Sequence, residues 1–181
     1  MRMRVIGGAL GGQFFATGVG NRTHPTSERV RGALFNMLGD LTGKTVLDAF
    51  AGTGAYAFEA VSRGAKSVVA IERDRKAQTV IAHNIDLLDV RDRVKLIKAS
   101  CGSWSENNPD LTFDIVICDV PYDDLQFSTV GRLIRHLKSN GLMVLSHPGR
   151  ESAPTVNGVV VVDKRKYGDA ALAIYRHEAA K

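Results

Sequence analysis

Residues 45–57 read TVLDAFAGTGAYA, and they give the clearest indication of the fold class. A short apolar run ends on the carboxylate of Asp48, Gly52 and Gly54 follow, and the sequence then takes on a helical period. Glycines permit a tight turn and let a ligand approach the backbone, and the amides that open the next helix point toward the same space. The stretch therefore predicts a strand, a ligand-binding turn and a helix.

Beyond this stretch, short apolar runs rich in Val and Ile alternate with segments of helical period. This alternation is typical of a parallel sheet with helices on both faces, so the predicted fold class is α/β.

The predicted strands are Lys44–Asp48, Ser67–Glu72, Val94–Lys98, Phe113–Cys118, Gly141–His147, Val159–Lys164 and Ala171–Arg176. The predicted helices are Ser27–Leu38 with Thr26 as N-cap, Tyr56–Arg63, Arg75–Leu88, and Asp124–Lys138 with Asn140-Gly141 as its stop. We expect the last two strands to pair antiparallel at one edge, and residues 5–15 to form a small glycine-hinged hairpin outside the main sheet.

Length and composition predict one domain with a core of its own, since the chain has 181 residues and 44% apolar content. Within it we expect an N-terminal hairpin extension over residues 1–25 and a core over residues 26–181. Cys101 and Cys118 form no Cys-x-x-Cys pair and the five histidines are scattered, so no metal site is predicted. A signal-peptide pattern and a membrane-span pattern are both absent from the sequence, so we expect a cytoplasmic protein.

The charge of the chain is unevenly distributed along the sequence. The net charge is +5, but residues 1–31 carry five arginines against one glutamate, and residues 162–181 carry five basic and three acidic groups. Lys and Arg gain free energy by displacing counterions from a phosphate backbone. Basic ends on a nearly neutral body favour a polyanionic partner. The alternative interpretation is a basic terminus that is simply solvated and binds nothing.

Glu72 ends the next predicted strand, 18 residues beyond Gly54. A carboxylate there can accept hydrogen bonds from both hydroxyls of a ribose, so loop and carboxylate together indicate a nucleoside cofactor. The glycine spacing also fits a dinucleotide fingerprint, which leaves NAD open. Asp48 favours S-adenosylmethionine, because an anion ahead of the glycines suits an ammonium and a sulfonium and repels a pyrophosphate. The alternative interpretation is that the glycines are needed only for the tight turn and bind no cofactor.

The tetrapeptide Asp119-Val120-Pro121-Tyr122 follows a fully apolar predicted strand. The amino group on a nucleic-acid base is a poor nucleophile, because its lone pair is delocalised into the ring. Two acceptors, the Asp119 carboxylate and the Val120 carbonyl that Pro121 holds in place, would free that lone pair for methyl transfer. Tyr122 offers a ring on which a splayed base can stack. The alternative interpretation is structural: Asp119 would cap the next helix, and Tyr122 would pack in the core.

The chain resembles the class I amino-methyltransferases that act on nucleic acids, on the spacing of the loop and the tetrapeptide. Three segments narrow the resemblance: HPTSERVRGALFN (24–36), LDAFAGTGA (47–55) and RKYGDAALAIYR (165–176). They are similar to the bacterial family that makes N2-methylguanosine in small-subunit ribosomal RNA. The resemblance implies a Rossmann-like methyltransferase with a seven-stranded, mostly parallel sheet, and a monomer that acts on ribosomal RNA or on the assembling small subunit.

The predicted site residues fall into three sets. The catalytic set is Asp119, Val120, Pro121 and Tyr122. The cofactor-binding set is Asp48, Phe50, Gly52, Thr53, Gly54, Glu72, Arg73, Ser100, Cys101 and Asp119, and Trp104 is predicted to cap a loop over the adenine. The RNA-binding set is Arg22, His24, Thr26, Arg29, Arg31, Arg165, Lys166 and Tyr167, with Arg29 and Arg31 on the polar flank of a helix and residues 164–167 in a turn.

Two positions depart from the pattern of that family, and other functions stay open. Val120 stands where the family usually has Pro, and we expect this change to be tolerated because the acceptor there is a backbone carbonyl. Ser100 stands where the family usually has Asp, so a carboxylate for the adenine amino group is missing and we expect cofactor affinity to be reduced. The tetrapeptide fits adenine and cytosine in DNA or RNA as well as guanine. A non-catalytic S-adenosylmethionine- or RNA-binding module and an NAD-dependent oxidoreductase are the remaining readings.

Overall fold

The computed structural model describes residues 1–18, 27–120 and 126–178, and these residues form nine strands and five α-helices. The strands are β1 (Arg2–Arg4), β2 (Phe14–Ala16), β3 (Thr45–Asp48), β4 (Ser67–Glu72), β5 (Val94–Lys98), β6 (Phe113–Cys118), β7 (Leu137–Pro148), β8 (Val159–Tyr167) and β9 (Ala170–His177). The helices are α1 (Glu28–Leu38), α2 (Ala55–Ser62), α3 (Arg75–Leu87), α4 (Cys101–Asn107) and α5 (Phe127–Leu133), and a 3₁₀ turn over Ile134–His136 follows α5. Among these helices none is long and apolar enough to cross a membrane.

Seven strands form one sheet in the order β5-β4-β3-β6-β7-β9-β8. The strands β5, β4, β3, β6 and β7 are parallel, and β9 is antiparallel to both of its neighbours. The predicted fold class and the antiparallel pairing of the last two strands are confirmed. Because ligands bind at the carboxyl ends of parallel strands, the ends of β3, β4, β6 and β7 define the edge where a site is expected.

Helices cover both faces of the sheet, as predicted. On one face α1, α2 and α3 contribute Leu34, Phe58 and Ile81 to an apolar cluster. On the other face α4 and α5 contribute Trp104 and Leu133 to a second cluster. Two separate cores on the two faces fix the sheet between them, so its carboxyl edge is a rigid platform.

The N-terminal hairpin β1–β2 packs on the first face. Val5 and Phe15 are buried there, and the Glu59 carboxylate of α2 accepts hydrogen bonds from the amides of Ile6 and Gly7 at 2.8 and 3.0 Å. Asn84 of α3 exchanges two 2.8 Å hydrogen bonds with the backbone of Ala16. The predicted small hairpin is confirmed, and it is firmly docked on the core.

The predicted helix Asp124–Lys138 is wrong at its carboxyl end. Within the described residues α5 ends at Leu133, and β7 already begins at Leu137, which pairs with Phe113 of β6. Asn140 has φ 61°, and a Cβ at Gly141 would lie 2.8 Å from the carbonyl oxygen of Lys138. The Asn-Gly pair therefore forms an irregularity inside a strand instead of a helix stop.

Helix α4 was not predicted, and one helix start was placed a residue early. The Ser100 hydroxyl caps α4 by accepting a hydrogen bond from the amide of Ser103 at 3.3 Å. In the same way, Ser27 caps α1 through the amide of Val30 at 3.2 Å. The N-cap of α1 is therefore Ser27, and Thr26 lies outside the described residues.

Candidate active site

Three carboxylates lie at the carboxyl ends of neighbouring strands. Asp48 ends β3 and pairs with Ala70 of β4 and with Ile117 of β6. Glu72 and Asp119 each lie two residues beyond those partners. Side chains two residues apart on a strand point to the same face, so all three carboxylates lie toward the face that α1, α2 and α3 cover. The structure thus brings together the three acidic residues that the sequence predicted for one site.

Asp48 is fully buried, and neither of its carboxylate oxygens has a hydrogen bond of ordinary geometry to another described residue. Burial, together with the negative charge of Asp119, raises the pKa of Asp48 to about 8. The amide of Ala57, in the first turn of α2, lies close enough to offset part of this rise, while Glu72 adds to it. The ionised form of such a buried acid is stabilised when a cationic group lies beside it.

Glu72 holds the glycine loop in place. One carboxylate oxygen accepts a hydrogen bond from the amide of Gly52 at 2.8 Å, and the other accepts one from the amide of Asp74 at 2.7 Å. Each carboxylate oxygen has a second lone pair, and Glu72 is only half-buried, so capacity remains for ribose hydroxyls. Glu72 therefore has a structural task besides the ligand-binding one that the sequence suggested.

The two loop glycines are required for different reasons. Gly54 has φ 80° and is the N-cap of α2, and a Cβ there would lie 2.7 Å from Cε2 of Phe58. Gly52 has φ 56°, yet the nearest atom to a Cβ there is the carbonyl oxygen of Phe50, 4.0 Å away. The fold itself requires Gly54, whereas the space beside Gly52 is open to a ligand. Thr53, between them, directs its hydroxyl at the sulfur of Met3 in the hairpin, 3.9 Å away.

The other predicted cofactor-binding residues differ in accessibility. Phe50 is half-buried against the second core cluster, and Arg73 and Ser100 are exposed. Cys101 is buried with its thiol donating to the carbonyl of Ala49, and burial, with the charges of Asp48 and Glu72, raises its pKa to about 12. The thiol therefore stays protonated and apolar at neutral pH.

Trp104 does not cap a loop, contrary to the prediction. It lies on α4, is 5% exposed, and packs against Phe113 and His136 with ring centroids 6.2 and 4.8 Å away. His136 is itself held by the hydroxyl of Ser105 at 2.8 Å. Trp104 is thus part of the second core, because the helix turns its ring toward the sheet.

The first half of the tetrapeptide is described by the structure. Asp119 is half-buried and close enough to Asp48 to raise the pKa of that residue. Val120 is 2% exposed and belongs to the second core cluster, which fixes its backbone. Pro121 and Tyr122 lie outside the described residues.

A family model matches the chain along nearly all of its length. The family described as "Conserved hypothetical protein 95" matches residues 3–176. The chain belongs to this family. The matched residues include both the hairpin and the sheet.

Known relatives and a solved structure agree with this assignment. YlbH of Bacillus subtilis (strain 168), which its name assigns provisionally to the rRNA methyltransferases, is 30% identical over 181 residues that span 96% of this chain and 98% of that protein. Ribosomal RNA small subunit methyltransferase D of Escherichia coli (strain K12) is 27% identical over 98% of this chain and 91% of its own length. The solved structure of yhhF from Escherichia coli has a TM-score of 0.87 at 27% identity, and the similarity spans 99% of this chain and 100% of that one. The Rossmann-like methyltransferase fold expected from the sequence is confirmed.

Arg31 does not fit the RNA-binding set that the family resemblance implied. Its side chain is fully buried, with one guanidinium nitrogen donating to the carbonyl of Arg4 at 2.5 Å and Nε lying 3.8 Å from the Glu59 carboxylate. Burial lowers the pKa of Arg31, and Glu59 offsets part of this effect. Arg31 therefore joins the hairpin to α2, and it is withdrawn as an RNA contact.

The remaining RNA-binding predictions are on the surface or outside the described residues. Arg29, Arg165 and Lys166 are exposed, and Tyr167 is half-buried. Residues 164–167 belong to β8, so the turn predicted there begins only after Tyr167. Arg22, His24 and Thr26 lie outside the described ranges.

Glu59 is a residue that the sequence analysis missed. It lies in the otherwise largely apolar helix α2 and is fully buried, and besides its bonds to the hairpin it accepts a hydrogen bond from Arg63 at 2.7 Å. A lone acid within such a helix is the signal that could have revealed it, since buried acids need partners. Within the described residues, no cluster of His, Cys, Asp and Glu could hold a metal ion.

Proposed function

We propose that this protein transfers a methyl group from S-adenosylmethionine to the exocyclic N2 of a guanine in small-subunit ribosomal RNA. The observation that carries the proposal is the buried Asp48 carboxylate, which has no hydrogen bond of ordinary geometry to another described residue and lies near Glu72 and Asp119. The names of the relatives in Escherichia coli and Bacillus subtilis support ribosomal RNA as the substrate class.

The residues of the site fit S-adenosylmethionine, which supplies a methyl group on a positively charged sulfur when it is bound. Asp48 provides the buried anion that an ammonium or sulfonium group requires. Glu72 provides oxygens for ribose hydroxyls, and the open side of Gly52 lets the ligand approach the backbone. A pyrophosphate would meet three carboxylates here, so the geometry supports a cationic cofactor over NAD.

The tetrapeptide residues prepare the target nitrogen. The Asp119 carboxylate and the Val120 carbonyl accept the two hydrogens of the amino group, which leaves its lone pair free to attack. The burial of Val120 supports this role, because a side chain anchored in the core fixes where its carbonyl points. Tyr122 stacks on the base, which contributes about 1 to 3 kcal/mol by analogy with other aromatic platforms.

Guanine is favoured over adenine and cytosine by the family-like segments at both ends of the chain. In this proposal residues 1–25 contribute to RNA binding and residues 26–181 form the catalytic core. The proposed RNA-binding residues are Arg22, His24, Thr26, Arg29, Arg165, Lys166 and Tyr167. The exposed cations among them would displace counterions from the phosphate backbone.

The proposal is tested by incubating the protein with radiolabelled S-adenosylmethionine and free small-subunit RNA, assembling small subunits or DNA, and by mapping the labelled base. We expect label on guanine N2 of the ribosomal RNA. Label on DNA alone, label on adenine or cytosine, or no transfer to any substrate would contradict the proposal.

A variant pair tests the role of Asp119. Asp119→Ala should abolish transfer, because the acceptor for the amino group is lost, while binding of the cofactor should still be measurable in a calorimetric titration. Asp110→Ala, at an exposed aspartate just before β6, is the matched control and should retain full transfer. An active Asp119→Ala enzyme would refute the assigned role.

A further inference from the structure

A cleft of about 300 Å³ lies at the end of β7, between the loop that follows this strand and the strand β8. Its lining includes His147, Glu151, Lys164, Lys166 and Ala171. This volume is at the lower end of the roughly 300–1,000 Å³ of ligand pockets, so it suits a group the size of one nucleotide.

The cleft is held open by contacts at both ends of its loop. The amide of Gly149 donates to the carbonyl of Asp169 at 2.8 Å, and a Cβ at Gly149 would lie 2.6 Å from the carbonyl oxygen of Gly168. At the other end, the hydroxyl of Tyr175 donates to the carbonyl of Pro154 at 2.7 Å. The walls are therefore fixed before any ligand arrives.

His147 presents a defined hydrogen-bonding atom to this cleft. The side chain is 3% exposed, and its Nδ1 lies 3.1 Å from the carbonyl oxygen of Pro148. A carbonyl oxygen only accepts, so Nδ1 carries the proton and Nε2 of the neutral ring is an acceptor. His147 lines the cleft, so Nε2 can accept a hydrogen bond from a ligand.

Two lysines lie on the same face of the sheet as His147. In the pairing of β7, β9 and β8, Ala171 lies beside both His147 and Lys166, and Lys164 lies beside Ala173. Alternate residues share a face, so both ammonium groups belong to the cleft side. The cleft lining also contains the negatively charged Glu151, whose carboxylate lies 3.8 Å from Arg150. Because Glu151 repels anions, an anion would bind on the lysine side of the cleft.

The cleft adjoins the end of the catalytic strand. Cys118 of β6 pairs with Leu145 of β7, and His147 lies two residues beyond Leu145. Asp119 is the residue that follows Cys118. By alternation Asp119 points to the opposite face from Cys118 and His147, so its carboxylate and the cleft lie on the two sides of the same carboxyl edge. An RNA strand that crosses this edge can place one base at Asp119 and the next nucleotide at the cleft.

We propose that this cleft binds the nucleotide adjacent to the methylated base, with its phosphate at Lys164 and Lys166 and a base N–H donated to Nε2 of His147. The proposal rests on the proposed function, since it takes RNA to be the substrate. It adds a second binding site for the strand, in which His147 positions the substrate and takes no part in the chemistry.

The test compares RNA binding by wild type, Lys164→Ala/Lys166→Ala, His147→Leu and His147→Gln, with Lys66→Ala/Lys95→Ala as control. Lys66 and Lys95 are exposed and lie away from the catalytic edge of the sheet. We expect the cleft lysine variant to bind about tenfold more weakly and to lower the log–log salt slope by about 0.7 for each lost phosphate contact. His147→Leu should weaken binding about fivefold, and Gln, whose side-chain oxygen accepts a hydrogen bond, should restore part of it.

Further measurements separate the cleft from the proposed function. Affinity for S-adenosylmethionine and the melting temperature should match wild type in all variants, and photo-crosslinked RNA should map to peptides that contain residues 147–153 or 164–166. Binding is measured whether or not methyl transfer occurs, so an inactive wild type refutes the function and still tests the cleft. Wild-type RNA affinity and salt slope in the lysine variant would overturn the cleft proposal. Micromolar binding of a free nucleoside monophosphate, lost in that variant while RNA binding is unchanged, would also overturn it.

Discussion

The buried carboxylate of Asp48 predicts that cofactor binding releases a proton. Burial, followed by the charges of Asp119 and Glu72, raises the pKa of Asp48 to about 8. A group with that pKa is about 90% protonated at pH 7. The ammonium of S-adenosylmethionine places a positive charge in the site, which favours the ionised carboxylate. Binding at pH 7 should therefore release close to one proton.

The release can be measured by calorimetric titration in two buffers of different ionisation enthalpy. If the pKa of Asp48 in the complex falls below about 5, the expected release at pH 7 is about 0.9 proton. Linkage then requires the association constant to rise about tenfold per pH unit between pH 6 and 7 and to level off above pH 8. The free energy of unfolding of the cofactor-free protein changes with pH in the opposite direction to this association constant. Because the pKa of Asp48 is raised in the folded state, stability is lost as the pH rises through about 8.

Two variants isolate the contribution of Asp48. Asp48→Asn keeps the shape but cannot ionise, so the proton release should disappear, while Asp110→Asn on the exposed surface should keep the wild-type value. Where the Asn variant binds the cofactor too weakly for calorimetry, infrared spectroscopy of the wild type reports the same proton loss. The carbonyl band of the protonated carboxyl should disappear when the cofactor is added. A wild-type release below about 0.2 proton, or an unchanged release in Asp48→Asn, would show that Asp48 is not the group that loses the proton.

Three further predictions concern the stability and the loop geometry of the site. Glu59→Gln leaves Arg31 buried without an anion, so we expect the free energy of unfolding to fall by about 3 to 5 kcal/mol and the hairpin amides to exchange faster; unchanged exchange would contradict the anchoring role. Gly54→Ala should cost about 1 to 3 kcal/mol in thermal unfolding, because of its positive φ and the crowding at its Cβ. Gly131→Ala, with open space at its Cβ, is its control, and equal effects would exclude this cause. Val120→Pro should change the methyl-transfer rate by no more than about tenfold, and recovery from an inactive wild type would show instead that the native loop is degenerate.

The strands and the cofactor loop could be predicted because their signals are local. Strands β4, β5 and β6 lie at their predicted bounds, since each is a short apolar run between polar or glycine-containing segments. Asp48 and Glu72 come together because parallel strands align their carboxyl ends. Sequence spacing is sufficient for such features.

The errors occur where distant partners decide the structure. Arg31 was placed on a polar flank, but its partners are Glu59 on another helix and the carbonyl of Arg4 in the hairpin. Helix α4 is too short for a clear period, and Trp104 indicates the core only once Phe113 is beside it. The cleft at His147 was equally invisible, because three separate segments build it.

The double hydrogen bond of Glu72 bears on how the site can bind a ligand tightly. Its carboxylate connects the loop after β3 with the start of α3, so its rotamer is already fixed in the cofactor-free protein. Immobilising such a side chain on binding usually costs about 0.5 to 1.5 kcal/mol. In this protein the side-chain entropy of Glu72 is lost during folding, so the ligand meets an acceptor that is already in place. The entropic cost therefore lowers the stability of the folded protein and not its affinity for the cofactor.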